Sequence, residues 1–352
     1  MSISDRLLGK KPANGKPHIE SVAPDFALPG GEIRIVGKGL RPAELRRPVV
    51  RFGETEAPVL ISSDDFVVAR VPDNVGSGQI VVGTNGHVSN THTISVASTI
   101  AADIHPVANP AFDASGNLYV TFSGSRGQKV PVAIYKIDPN YQVTPFVADM
   151  MNATAMAFDR EGMLYVSSRH DEAVYKVTPK GEISTYAEGM GVATGIAFDQ
   201  DENLYVGDRS GTIFKIARDR QIFVFATLEP SISAYHLAVG PKGDLFVTGP
   251  TTSSFDSIHK IDPHGSVTVF YRGLGRPQGM AFDAEGNLYA AASLGGKRGI
   301  VKITPQGKAS LEVAGQGLVG LAFAPDRTAI LATNSSIYHL AWNIAGAPLP
   351  PA

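Results

Sequence analysis

The sequence contains no cysteine. Without cysteine the chain has no disulfide, no thiolate nucleophile and no cysteine-ligated zinc, so any metal must bind through oxygen or histidine ligands. It also lacks an excess of charge of either sign, because 31 Lys and Arg stand against 33 Asp and Glu, a formal net charge of -2. This balance points away from nucleic acid and from an anionic membrane as partners.

Long apolar runs are missing as well. Residues 1–16 lack the apolar stretch of a signal peptide, and no other segment approaches the length of a membrane span. We therefore expect a soluble protein with no membrane partner, located in the cytoplasm with export left open, and a flexible N-terminus over residues 1–16. A chain of 352 residues with 43% hydrophobic composition is globular and long enough for more than one domain.

What the sequence does contain is a repeat. Six segments share an apolar start, a turn rich in Asp, Gly and Asn, and an apolar finish; they read AFDASGNLYV, AFDREGMLYV, AFDQDENLYV, AVGPKGDLFV, AFDAEGNLYA and AFAPDRTAIL. The copies begin 40 to 46 residues apart, at Ala111, Ala157, Ala197, Ala238, Ala281 and Ala322. This period is typical of a four-stranded propeller blade. The sequence therefore predicts an all-β fold with a six-bladed β-propeller over residues 98–343.

The last copy lacks a fourth strand, because it ends at Trp342. The segment Ser98–Ile104, STIAADI, precedes the first copy and has the length and apolar content of the missing strand. We therefore predict that this N-terminal strand closes the ring and removes its exposed strand edges. Residues 344–352 are predicted to form a disordered or loosely packed tail.

Residues 17–97 follow a different pattern of short alternating strands separated by Gly, Pro and Asn turns, which predicts an Ig-like β-sandwich. The segment resembles an IPT/TIG domain. The matching features are Ile19 to Pro24, Gly30-Gly31, Phe52-Gly53, Val71-Pro72, and Asn85-Gly86 followed by Ser89-Asn90.

The propeller resembles the NHL-repeat propellers and the regucalcin and gluconolactonase family. The second resemblance implies a divalent metal, often calcium, held by a Glu, two Asn and an Asp, with lactone hydrolysis at the metal. The sequence departs from that pattern at Asn109-Pro110, at Ala193-Thr194-Gly195 and at Pro277-Gln278-Gly279, so no carboxylate is carried over. We therefore predict no metal ligands and no cofactor, with calcium implied by the resemblance alone.

Position in the blade sorts residues by face. The strands of a blade are labelled a to d from the channel outwards; the d-to-a and b-to-c connections share the upper face, and the a-to-b and c-to-d turns share the lower face. The upper b-to-c connections carry most of the bases, with some acids, namely Arg126, Lys129, Arg169, His170, Arg209, Lys297 and Arg298 against Asp171, Glu172, Asp208 and Asp256. The lower turns carry acids, namely Asp113, Asp159, Glu161, Asp199, Asp201, Glu202, Asp283 and Glu285.

The residues that precede the a strands are predicted to point at the channel mouth; they are Asn109, Thr154, Thr194, His236, Gln278 and Val319. His236 is the one that titrates near neutral pH, and it is the candidate catalytic residue. The candidate ligand-binding residues are Asn109, Arg169, Thr194, Asp208, Arg209, Tyr235, Arg276 and Gln278. The alternative interpretation is that these polar groups are satisfied by water and by one another.

Three functions stay open at this stage. The first is a binding module for a small polar or anionic ligand or a protein, with the Ig-like domain as spacer or docking unit. The second is a lactonase-like hydrolase or a lyase with His236 as general base. The third is a purely structural role in which both domains are assembly surfaces.

Overall fold

The computed structural model describes residues 15–42, 46–125, 127–252 and 255–347. These residues form strands and turns, none of them lies in a helix, and so none belongs to a helix able to cross a membrane. The chain divides into two compact units, Met1–Ala97 with Glu312–Gly315, and Ser98–Leu311 with Gln316–Ala352. Residues 1–14 of the predicted flexible N-terminus and Arg126 lie outside the described residues.

The first unit is a β-sandwich of ten strands. They are β1 (His18–Ala23), β2 (Phe26–Ala27), β3 (Glu32–Lys38), β4 (Val49–Phe52), β5 (Thr55–Ala57), β6 (Val59–Ser62), β7 (Phe66–Arg70), β8 (Gly78–Thr84), β9 (His87–Val88) and β10 (His92–Val96). One sheet has the order β1-β3-β7-β6 and the other β2-β10-β8-β4-β5, with β9 paired to β8. Alternation along β3 buries Ile33 and Ile35 between the sheets while Glu32 and Arg34 face outwards, which confirms the predicted Ig-like fold.

The second unit is a six-bladed propeller. The first blade contains β12 (Ala111–Phe112), β13 (Leu118–Thr121), β14 (Ile134–Ile137) and β15 (Val143–Val147). The second blade contains β16 (Ala153–Phe158), β17 (Leu164–Ser168), β18 (Ala173–Val177) and β19 (Ile183–Glu188). The third blade contains β20 (Ala193–Phe198), β21 (Leu204–Asp208), β22 (Thr212–Ile216) and β23 (Ile222–Thr227). The fourth blade contains β24 (His236–Val239), β25 (Leu245–Thr248), β26 (Asp256–Ile261) and β27 (Val267–Gly275). The fifth blade contains β28 (Met280–Phe282), β29 (Leu288–Leu294), β30 (Lys297–Ile303) and β31 (Ala309–Ala314). The sixth blade contains β32 (Leu318–Phe323), β33 (Ala329–Thr333) and β34 (Ser336–Leu340).

The sixth blade takes its fourth strand from the start of the unit. Strand β11 (Ser98–Ala102) pairs antiparallel with β34, with Ser98 opposite His339 and Ala102 opposite Ser336. Ala101 is buried in the same apolar cluster as Ile337. The predicted closure by the segment that begins at Ser98 is therefore confirmed.

Neighbouring blades are joined by a repeated aromatic contact. The phenyl ring of Phe158, at the end of one a strand, meets the ring of Tyr119 on the b strand of the preceding blade edge-on, with 5.1 Å between centroids. The same contact recurs in the pairs Phe198–Tyr165, Phe282–Phe246 and Phe323–Tyr289. Edge-to-face aromatic pairs add stabilisation beyond their buried area, so the AF and LY motifs of the repeat hold blade to blade.

The aspartates of the lower face close the turns of the repeat. Asp113 Oδ1 accepts hydrogen bonds from the backbone N–H groups of Ser115 and Asn117, each at 2.9 Å, and its Oδ2 accepts from Asn117 Nδ2 at 2.8 Å and from the Tyr119 hydroxyl at 3.2 Å. Burial, with the charge of Asp113 beside it, raises the pKa of Tyr119, so the hydroxyl stays a donor. Equivalent turns form at Asp159, Asp199 and Asp283. These predicted surface acids are therefore engaged in local structure.

The start of the predicted tail is bound to the propeller. The backbone N–H of Ala284 donates to Ala345 O at 2.9 Å, and that of Ala347 donates to Phe282 O at 2.9 Å. The prediction of a loose end is therefore wrong for residues 344–347, because these hydrogen bonds continue the edge of the fifth blade. Residues 348–352 lie outside the described part of the chain.

The closure strand offers a matched test. We expect Ala101→Asp to lower the free energy of unfolding by on the order of 3 kcal/mol, because it buries a carboxylate in an apolar cluster, whereas Ala102→Asp, at an exposed position, should cost less than about 0.5 kcal/mol. Urea unfolding followed by fluorescence measures both values. Equal effects of the two substitutions would contradict the closure.

Candidate functional site

The register of the six inner strands defines two rings of residues at the channel. The alanine of each repeat is opposite an aromatic or apolar b-strand residue, as for Ala197 opposite Tyr205 and Ala238 opposite Phe246. The residues three positions before the repeat alanines form the first ring, namely Ala108, Thr154, Thr194, Tyr235, Gln278 and Val319. The residues two positions before them form the second ring, namely Asn109, Ala155, Gly195, His236, Gly279 and Gly320. Asn109 and His236 therefore stand one position nearer the repeat alanine than Thr154, Thr194, Gln278 and Val319, the residues with which they were predicted to share the channel mouth.

The residues of the second ring have small side chains, or none, at all but two positions. Four of its six members are Gly or Ala, and the exceptions are Asn109 and His236 on opposite blades. Inner strands approach one another closely near the axis, so a side chain fits there only where a neighbouring blade has none. Asn109 and His236 therefore distinguish this channel from a plain repeat.

The amide of Asn109 ties three blades together. Its Nδ2 donates to Met280 O at 2.7 Å and its Oδ1 accepts from Leu321 N at 3.1 Å. Gly279 and Gly320 leave no room for a Cβ beside this amide. The predicted ligand-binding amide of Asn109 is thus used by backbone groups of the fifth and sixth blades.

Thr194 and Tyr235 are also engaged within the protein. Thr194 Oγ1 donates to Gly207 O at 2.9 Å and accepts from Tyr235 N at 3.1 Å, and Thr194 O accepts from the Ser167 hydroxyl. The Tyr235 hydroxyl donates to Glu229 O, and burial raises the pKa of Tyr235 to about 12. Thr194 and Tyr235 together link the second, third and fourth blades, the second through the backbone oxygen of Thr194.

The other predicted upper-face groups anchor loops. Arg169 Nη2 donates to Gly124 O at 2.8 Å, and Arg209 Nη2 donates to Ile232 O at 3.4 Å, in both cases on a neighbouring blade or its entry loop. Asp208 is buried and accepts from the Ser210 hydroxyl. These contacts give all three charged groups a structural role at the rim.

His236 has no such partner. The residue is 6% exposed, and among the described residues none forms a hydrogen bond with its ring, whose nitrogens are not among the fully buried side-chain atoms left without a partner. Burial lowers the pKa of His236 to about 4, so the imidazole is neutral at physiological pH, with one ring nitrogen as donor and the other as acceptor.

The direction of His236 follows from its neighbours. A Cβ on Gly207 of the third blade would lie within 3.1 Å of both Tyr235 and Leu237, so these two residues face that blade. His236 lies between them in the strand and faces the other way, towards the fifth blade. Its cross-strand partner Thr248 points there too, because Thr248 Oγ1 donates to Gln278 O at 2.8 Å.

Gln278 and Arg276, at the entry to the fifth blade, are two further polar side chains that other described residues do not use. Gln278 is half-buried and Arg276 is exposed, and within the described part of the chain neither side chain forms a hydrogen bond or an ion pair. The segment is held in place, since Gln278 N donates to Ala291 O at 2.9 Å. Arg276 has φ of 45°, in the left-handed region that non-glycine residues rarely adopt, and such strain is often found at binding sites.

Sequence reasoning missed several polar features of the inner blades. Ser167 and Thr248 are fully buried hydroxyls on b strands, and the signal for them was a small polar residue within an apolar strand, as in LYVSS and LFVT. Asp256 is buried too; its Oδ1 accepts from Thr251, while no described residue bonds its Oδ2. Nothing in the sequence marked that carboxylate as buried.

The lower end of the channel is an apolar cavity of about 450 Å³, which the sequence analysis did not predict. Its lining includes Met156, Ile196, Leu237, Met280 and Leu321, the residues directly before five of the repeat alanines, and also the charged residues Asp159, Arg160 and Glu161. The available polar groups and this cavity therefore lie at opposite ends of the channel.

The residues present do not make a calcium site. Among the described residues there is no cluster of three or more His, Asp or Glu side chains that could hold a metal ion. A hard cation needs several oxygen ligands including carboxylates. His236, Gln278 and Arg276 offer a neutral ring, an amide and a cation instead.

The fold and its repeat define an Ig-like module combined with a six-bladed β-propeller. Residues 17–100 match the family model of the IPT/TIG domain, so the first unit is an IPT/TIG domain. A search of curated protein sequences found no match.

Solved structures with the same fold differ in function. A putative gluconolactonase is 17% identical, aligns over 72% of this chain and 93% of its own, and has a TM-score of 0.60. An auxiliary nutrient binding protein from Bacteroides thetaiotaomicron is 11% identical over 93% of this chain and 98% of its own, with a TM-score of 0.57. Regucalcin from Agrobacterium tumefaciens, a calcium-binding protein, is 15% identical over 72% and 96%, with a TM-score of 0.55. At such low sequence identities, the structural similarity to these proteins shows a shared fold only.

The lowered pKa of His236 gives a pH prediction. Between pH 6.5 and about 4 the unfolded chain binds a proton at His236 that the folded chain does not, so stability falls as the pH falls through this window, by up to about 3 kcal/mol. We expect His236→Leu to flatten this part of the profile. Urea unfolding from pH 4.5 to 7.5 measures it, and His264→Leu, at an exposed histidine of the same blade, should keep the original slope. A slope that His236→Leu leaves unchanged would mean that this ring is not buried and neutral.

Proposed function

We propose that the propeller is a binding module for a small polar or anionic ligand, which it binds at the upper mouth of its channel between the fourth and fifth blades. The observation that carries this proposal is the buried, neutral His236, which has no hydrogen-bond partner among the described residues. Because no described residue bonds to the ring nitrogens of His236, a ligand can bond to them without displacing a hydrogen bond within the protein.

The groups around His236 suggest the chemistry of the ligand. The imidazole provides one donor and one acceptor, the Gln278 amide provides both, and the Arg276 guanidinium provides a positive charge with several donors. A hydroxylated carboxylic acid matches this set, with its carboxylate at Arg276 and a hydroxyl at His236 or Gln278. The nutrient-binding structure with the same fold is consistent with such a role.

A second candidate is a lactonase-like hydrolase or a lyase with His236 as general base. The neutral imidazole favours it, because a base must be unprotonated to accept a proton. A pKa of about 4 is nevertheless far below neutral pH and makes a weak base, and the carboxylates of a calcium site are missing. Binding is therefore the better supported function. If the protein turns over a substrate in a panel of lactones and esters, and His236→Ala abolishes that turnover, hydrolysis becomes the better supported function.

Binding is tested on the full chain with a panel of hydroxy acids and sugar acids, first by thermal stabilisation and then by calorimetry. We expect His236→Ala to weaken the best ligand by about tenfold or more, since it removes a buried hydrogen bond, and Arg276→Gln to weaken anionic ligands in particular. His264→Ala, an exposed histidine in the lower c-to-d turn of the same blade, is the matched control. Unchanged affinity in both site variants would reject the proposed site.

A further inference from the structure

The last described residues of the chain lie along the innermost strand of the fifth blade. Residues 345–347 run antiparallel to residues 282–284, with two backbone hydrogen bonds of 2.9 Å and a bridge between Gly346 and Asp283. One edge of β28 is already paired with β29. The bonds to residues 345–347 therefore come from its other edge, and the free edge of an innermost propeller strand faces the channel.

The direction of this segment leads into the channel. β28 begins at Met280, and the chain then enters the lower turn at Asp283. A segment that is antiparallel to β28 and ends at Ala347 therefore runs from the lower turn towards Met280. Gly346 and Ala347 already belong to the lining of the apolar cavity at the lower end of the channel. The chain thus reaches the wall of that cavity at the last residue that the structure describes.

The segment is held firmly up to this point. The ring of Trp342 packs edge-on against that of Tyr289, with 5.3 Å between centroids. A Cβ on Gly346 would lie 2.6 Å from the Cβ of Phe323, so the backbone of the segment passes close against the sixth blade and only glycine fits there. Contacts with the fifth and sixth blades therefore fix the direction in which the chain enters the channel.

The sequence that follows Ala347 suits an apolar cavity. It reads Pro-Leu-Pro-Pro-Ala and has no charged or polar side chain. In an antiparallel ladder successive N–H groups point to opposite sides, so the position after Ala347 needs no donor towards β28, and a proline there loses no hydrogen bond.

The ladder along β28 cannot continue further. Its next acceptor on that edge, Met280 O, already accepts from Asn109 Nδ2 at 2.7 Å. The chain beyond this point must leave β28 either for the cavity or for water. Burial of apolar side chains is favourable, so the cavity is the preferred direction.

We propose that residues 348–352 bind in this cavity and close the lower end of the channel. The occupant is a segment of the chain itself, and its apolar side chains match a lining that includes Met156, Ile196 and Leu321. Of the charged lining residues, Asp159 and Arg160 already have hydrogen-bond partners within the propeller. A closed lower end leaves the upper mouth as the entry for any molecule that reaches the inner strands. The proposal does not depend on the function proposed above.

The absence of cysteine gives a direct test, because an introduced thiol is then the only one in the chain. The full chain is compared as Leu349→Cys and as Lys242→Cys, the latter at an exposed position in a lower turn of the fourth blade. A thiol enclosed in the cavity reacts only when the segment leaves it, so Leu349→Cys should react with a thiol reagent about tenfold or more slowly than Lys242→Cys.

The same comparison in urea is the control for intrinsic reactivity, and there the two thiols should react at equal rates. Equal rates in the folded protein would overturn the proposal. They would mean that the cavity is open, and that any occupant is a separate small apolar molecule.

Disulfide trapping tests the location of the segment. Leu349→Cys is combined either with Ala238→Cys, at a small residue of the cavity lining, or with Lys242→Cys, which lies outside that lining in the groove between the fourth and fifth blades. Since a disulfide needs the two Cβ atoms within roughly 3.5 to 4.5 Å, the pair with Ala238→Cys should form its bond about tenfold or more faster.

Urea unfolding of the reduced variants confirms that each one is folded before oxidation. If the pair with Lys242→Cys forms its disulfide as fast as the pair with Ala238→Cys, the segment lies outside the channel and the proposal is wrong. His236→Ala should leave the slow reaction of Leu349→Cys unchanged, so this result is separate from that of the upper site.

Discussion

The propeller depends on the pairing of β11 with β34, because a ring of blades is stable only when its last blade is completed. The strand before the first blade supplies the fourth strand of the sixth, so the two ends of the unit meet in one sheet. Without this pairing, β34 would present an unpaired edge and the apolar cluster around Ile337 would open to water. Closure also fixes the distance between inner strands, and so the width of the channel.

Closure leaves very little space at the axis, and that restriction decides which polar residues remain available. Asn109 fits because Gly279 and Gly320 leave space for it, and its amide then satisfies backbone groups that face the channel. Thr194 and Tyr235 are used in the same way between the third and fourth blades. Most of the polar mouth is therefore internal structure, whereas the side chains of His236, Gln278 and Arg276 form no such contact with any described residue.

The same principle applies to the charges. On the lower face of the propeller, aspartates such as Asp113 have their oxygens occupied by turn N–H groups and by a tyrosine hydroxyl. On the IPT/TIG unit, bases such as Arg70 have an acid at ion-pair distance. A charged residue therefore indicates a binding surface only when its local partners are known. Counting charges along each face overstated the acidity that the lower face offers to a partner.

The sequence by itself determined the blades, the closing strand and the Ig-like fold. Each depends on short-range periodicity or on a repeat, and the six copies from Ala111 to Ala322 and the segment at Ser98 record these directly. The tertiary structure alone decided which polar side chains are already used within the protein. Whether Asn109 or His236 carries a free hydrogen-bonding group depends on atoms of other blades, more than 100 residues away for Asn109, and no local pattern encodes that distance.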